Sequence, residues 1–132
     1  MNIANSNIYV KIFALALFLS SVTMLFSTAE YHERMIITID GKAQSTGMFV
    51  FSFAPENGES KDIKVTIAEK MGENAITKAI VKEFKVALGD AYKVHGEDGH
   101  KIKIKILNNS PKFNVEMGES TVQGVSLIIK KD

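Results

Sequence analysis

Asn74-Ala75-Ile76-Thr77-Lys78-Ala79-Ile80-Val81-Lys82-Glu83-Phe84-Lys85-Val86-Ala87-Leu88 stands out as a run with a helical period, and its setting decides the fold. Ile76, Ala79, Ile80, Phe84, Ala87 and Leu88 recur at spacings of three and four, which lines them along one helix face. Thr77, Lys78, Lys82 and Lys85 fall on the other side. Val81 and Val86 lie off the apolar stripe and are expected to be partly exposed or covered by a neighbouring loop. Asn74 is the expected N-cap, and Gly89 is placed to end the helix with a left-handed backbone. The small side chains of Ala79 and Ala87 let the helix axis come close to a sheet. The helix reads as packing material and carries no chemistry.

On both sides of it the chain alternates with period two, as half-buried strands do. Met35, Ile37 and Ile39 form one apolar row, ending at a turn signal, Asp40-Gly41. Ile63, Val65 and Ile67 form another, and Ile102, Ile104 and Ile106 alternate with Lys101, Lys103 and Lys105. Phe113, Val115 and Met117 are followed by Val125, Leu127 and Ile129. Turn residues separate the rows at Pro55-Glu56-Asn57-Gly58, Glu97-Asp98-Gly99, Asn108-Asn109-Ser110-Pro111 and Gly118-Glu119-Ser120. Short connections of this kind imply antiparallel neighbours. The expected class is therefore α+β: an antiparallel sheet of about six or seven strands with one amphipathic helix packed on one face.

Met48-Phe49-Val50-Phe51-Ser52-Phe53 departs from simple alternation. Phe49, Phe51 and Phe53 fill one face, while Met48 and Val50 make the other apolar as well. A strand apolar on both faces is expected to be covered on both. The helix is one cover; the second would be another sheet layer, another subunit or a small apolar ligand.

Nearer the start, residues 12–29 carry no charge. Lys11 precedes an apolar core from Ile12 to Phe26, and Ser27 and Ala29 put small side chains where a signal peptidase cuts. The expected reading is a secretory signal over residues 1–29, followed by a single exported domain over 30–132. An uncleaved membrane anchor is the alternative, and a buried core helix a third. About 18 charge-free residues at 1.5 Å each span roughly 27 Å, just short of a hydrocarbon core, and Ser20, Ser21 and Thr23 weaken the anchor further.

Composition narrows the function. Of the 16 Lys and Arg residues only Lys11 precedes Ala29, so the expected domain balances 15 basic against 15 acidic side chains. That balance argues against a nucleic-acid partner, which needs a basic footprint. The absence of cysteine removes disulfides, thiol catalysis and thiolate metal sites together. Stability must then come from burial in a core that about 103 residues can build only once.

Two clusters carry possible chemistry. His95-Gly96-Glu97-Asp98-Gly99-His100 holds two imidazoles and a carboxylate. A two-residue hairpin turn at Asp98-Gly99 would pair Glu97 with His100 and put His95, Glu97 and His100 on one face, beside Ile102 and Ile104. Such a trio can bind zinc or copper, or simply rim the core. Lys101, Lys103 and Lys105 line one side of a strand, with Lys64 expected on a neighbour. They suit an anionic polymer or an acidic partner, or else guard a solvated edge. No aromatic residue interleaves them, so base stacking is unsupported. No Gly-x-Ser-x-Gly elbow or phosphate loop is present, and Asn108-Asn109-Ser110 is a glycosylation tripeptide with Pro111 directly behind it.

These observations lead to an expected function: a small exported, non-enzymatic binding or structural domain of the periplasm or cell surface, with no cofactor. Its partner would be another protein or an anionic envelope component, met through Met48 and Val50 or through Lys101, Lys103 and Lys105. Nucleic acid is not expected, and membrane contact is expected only through the N-terminal segment. The alternatives are a membrane-anchored subunit of a surface assembly and a small metal-dependent protein using His95, Glu97 and His100.

Overall fold

In a computed structural model, residues 30–132 are described; the expected signal or anchor lies outside them. The order is β1 (Arg34–Gly41), β2 (Gly47–Pro55), β3 (Lys61–Ile67), α1 (Glu73–Leu88), β4 (Tyr92–Glu97), β5 (Lys101–Ile106), β6 (Phe113–Ser120) and β7 (Val125–Lys131). The described residues form an α+β fold, with seven antiparallel strands and one α-helix packed against them. The strands divide between two sheets, one in the order β4-β5-β1-β7 and the other β3-β2-β6. Three short connections expected to join neighbours (β1 to β2, β5 to β6 and β6 to β7) instead carry the chain from one sheet to the other. Alternation places one row of each strand inward. It does not say which sheet the strand joins.

The inner faces of the two sheets meet around the phenylalanines of β2, and Phe49, Phe51 and Phe53 are buried. Phe51 meets the edge of Phe84 on α1 at 5.1 Å. Phe53 stacks on Phe113 of its own sheet at 5.3 Å and meets the edge of Tyr92, from the opposite sheet, at 5.0 Å. Each such ring contributes about 1.5–3 kcal/mol by leaving water. The helix and the second sheet thus cover the same side of β2. Met48 and Val50 point outward and are only half-buried, so the expectation of a cover on both faces does not hold among the described residues.

Helix α1 packs chiefly against β3 and β4, edge strands of different sheets, and so closes one open side of the sandwich. Ile76, Ile80, Phe84 and Leu88 form its buried stripe, with Ala79 and Ala87 half-buried beside it. Val86 is 76% exposed, as its off-stripe position implied. Two details differ from the sequence reading. Gly72, and not Asn74, occupies the N-cap position without a side-chain cap, while the Glu73 carboxylate accepts from Gly41 N–H at 3.3 Å. Thr77 is buried, because its flank of the helix meets the β4–β5 turn, where its hydroxyl donates to Gly99 O at 3.1 Å. At the other end Gly89 takes a positive φ of 59°, and its N–H donates to Lys85 O.

Across the sandwich, β6 and β7 lie beside each other. β6 runs through Gly118-Glu119-Ser120, read above as a turn, because a bulge opposite Val50 and Phe51 absorbs the irregularity. Where β1 ends and β7 begins, Gly41 (φ 107°) packs on the Gly124 carbonyl, and Gly124 (φ 86°) packs on the Lys42 carbonyl and the Gln44 side chain, leaving no room for a Cβ at either glycine.

Because Phe51 touches the helix from within a fully enclosed face, Phe51→Ala should cost about 3–5 kcal/mol. Val86→Ala should stay within about 0.5 kcal/mol. Urea denaturation of the two variants measures the difference.

Candidate functional site

The β4–β5 hairpin orients the candidate residues. Asp98 and Gly99 both take positive φ, 55° and 73°, and His100 N–H donates to Glu97 O at 3.4 Å. That is the expected tight turn. The ladder nevertheless resumes at Glu97↔Lys101, one residue later than a two-residue loop gives, leaving His100 as the extra residue. A one-residue change of register exchanges the faces of a strand. His95 therefore lies opposite Lys103 and not Ile102, and both His95 and Glu97 face outward with the lysines. His100 stays in the turn, its Nδ1 donating to Asp98 O at 2.8 Å. Among the described residues no three His, Asp or Glu side chains converge as a metal ion requires.

The outer face of the four-stranded sheet is built from β1, β4, β5 and β7 together. Three rows cross it. The first runs Lys93, Lys105, Arg34; the second His95, Lys103, Ile36, Lys130; the third Glu97, Lys101, Thr38, Ile128. Six cationic side chains thus share one surface with three carboxylates, those of Glu97, Asp40 and Asp132. Lys64, expected beside the lysine row, is on β3 in the other sheet and takes no part. Met48 and Val50 lie on the outer face of that other sheet, where Thr66, Lys64 and Glu119 are their cross-strand partners, so they form no continuous apolar patch.

Among the described residues, the only ion pair on the basic face joins Lys103 Nζ to Glu97 Oε2 at 3.0 Å. The hydrogen bond from Lys103, and then its charge, hold the Glu97 carboxyl below its ordinary range. The same bond raises Lys103 above its own. Around this pair Arg34, His95, Lys105 and Asp132 line a shallow depression of about 300 Å³. His95 Nδ1 is shielded from solvent there and hydrogen-bonds to nothing among the described residues. Lys93, Arg34 and Lys130 were not singled out from the sequence. They are scattered along the chain, and only the strand pairing brings them beside Lys101, Lys103 and Lys105.

The arrangement can hold a multivalent anion by charge and by lysine and arginine donors. Comparison with protein-family models, characterised proteins and solved structures finds no match to this chain.

Glu97 should titrate below 4.5, its ordinary value, and Lys103→Met should return it toward that value. Carboxyl-resolved NMR titration checks both. The sign for stability follows: the contribution of Glu97 is present above its unfolded pKa and lost as pH falls through the lowered folded one.

Proposed function

We propose that the chain is a non-enzymatic, exported binding domain whose four-stranded sheet takes an anionic component of the cell envelope, phosphate- or carboxylate-bearing, on its basic outer face. The observation that carries this reading is the row Lys93–Lys105–Arg34. Its three cations sit directly opposite one another on adjacent strands, and none has an ion-pair partner among the described residues. Like charges placed opposite each other across strands oppose pairing, so the free domain carries a cost that a bound anion relieves. Export rests on the charge-free segment at residues 12–29 and its small residues at Ser27 and Ala29.

The basic face also accounts for a feature that composition hides. Net charge over the expected domain is near zero, yet the outer face of the second sheet carries Asp62, Glu116 and Glu119 against Lys64. The two outer faces thus carry an excess of opposite sign, cationic on one and acidic on the other, and such an asymmetric field steers an anion to the basic side. At physiological salt the Debye length is about 8 Å, so the lysines act as a group over neighbouring strands and little farther.

Inorganic polyphosphate is a suitable probe for calorimetry with the purified protein. Lys105→Glu should weaken binding about tenfold, while Glu97→Gln should strengthen it by freeing Lys103. Lys64→Glu, on the far sheet, should leave it unchanged. Equal losses from Lys105→Glu and Lys64→Glu, or no binding even at low salt, would contradict the proposal.

A further inference from the structure

We infer that the free edge of β4 is a docking site for an extended, acidic segment of a partner protein, which joins the four-stranded sheet as a fifth strand. The hydrogen bonds flanking the hairpin fix which backbone groups are spare. Leu107 N–H donates to Ala91 O, and that pair continues the β4–β5 register. In an antiparallel ladder alternate residues bond to the same neighbour. Lys93, His95 and Glu97 therefore bond to β5, and the N–H and C=O groups of Tyr92, Val94 and Gly96 point away from it. Ile39 N–H to His100 O and Ile106 N–H to Glu33 O agree, since they assign the even-numbered residues of β5 to β1 and leave its odd-numbered ones for β4. Among the described residues no backbone partner faces β4 on its other side. Gly96 is exposed and has no side chain to cover its edge.

That edge opens into a groove beside the helix. Two concavities, of about 550 and 530 Å³, meet at Lys85 and follow β4 along its length. Val81 and the exposed Val86 give it an apolar wall, and Lys78, Lys82, Lys85 and Lys93 line it with positive charge. Asp90 is the one carboxylate among the lining residues.

These features select the occupant. A helix would leave the β4 backbone groups unused, whereas an extended chain satisfies them while its alternate side chains enter the groove. Apolar side chains in the groove-facing row can rest on Val81 and Val86, and carboxylates in that same row reach Lys78, Lys82 and Lys85. Carboxylates on the opposite face of the added strand reach Lys93. The groove is distinct from the basic sheet face, with Lys93 and His95 bordering both, and the inference does not depend on the polyanion reading.

The test uses isotope-labelled protein and a hexapeptide Val-Val-Glu-Glu-Val-Val, which presents both valine and glutamate on each face of an extended strand. Addition of peptide should shift the amide resonances of Tyr92, Val94 and Gly96 and slow their hydrogen exchange, which in the free protein is faster than that of Lys93 and His95. Lys82→Glu with Lys85→Glu should weaken binding about tenfold, while Lys105→Glu, which disables the sheet face, should leave it intact. N-methylation of all the peptide's backbone nitrogens, which leaves neither edge able to donate, should abolish it. The inference is overturned by an unperturbed spectrum at about 1 mM peptide. Equal binding of the N-methylated peptide, or shifts confined to the sheet face, overturns it too. So does pairing of β4 with a second copy of the chain in preference to peptide.

Discussion

The interior between the two sheets can accept only one of the two rows that β5 offers. Ile102 and Ile104 take it, fully enclosed with Val94, Ile37 and the aromatic rings that reach across from β2. Lysines in the same place would be charges removed from water without partners, at a cost no packing here offsets. Once the isoleucines face in, Lys101, Lys103 and Lys105 face out, and the pairing of β4 and β1 to β5 carries Lys93, His95, Glu97 and Arg34 out with them. The basic surface is thus a by-product of core packing in its orientation. Its composition is not: nothing in the core requires the outer row to be so uniformly cationic.

The same constraint explains the extra residue at His100. Asp98-Gly99 makes a tight turn of the expected kind, but a two-residue loop would set Glu97 against His100 and bring His95 to the level of Ile102. The polar side chains would then share a face with the core row. Inserting one residue restores the inward row on both strands, and the turn holds through His100 Nδ1 on Asp98 O and Thr77 on Gly99 O. Burial of Thr77 follows, since the helix flank must lie against this turn for Phe84 to reach Phe51.

How much of this was legible in the sequence depends on the range of the interactions involved. The helix and the inward rows were, because both rest on local periodicity and on which side chains leave water. Val86 is exposed and Ile76, Ile80, Phe84 and Leu88 are buried for that reason alone. The division into two sheets was not legible. Alternation is identical whether a strand pairs with its predecessor or crosses to the facing layer, and Asn108-Asn109-Ser110 turns the chain equally well either way. The place of Lys64 went with that division, since its strand belongs to the other sheet, and register, which was not legible either, took the metal trio with it. The basic face was half visible: its row on β5 is contiguous in sequence, while Arg34, Lys93 and Lys130 join it only through pairing between distant segments.

The central claim, that isoleucines face in and lysines out on β5 in the register Glu97↔Lys101, is tested most directly by cross-strand contacts between α-protons. Pairs that exchange no hydrogen bonds bring their α-carbons to about 4.5 Å and give strong proton contacts. On the β4–β5 ladder these pairs are Tyr92 with Ile106, Val94 with Ile104 and Gly96 with Ile102. Strong contacts between those residues are the predicted result. A spectrum that instead pairs His95 with Ile102 and Glu97 with His100 would put His95 and Glu97 on the face of Ile102 and Ile104 and contradict the account.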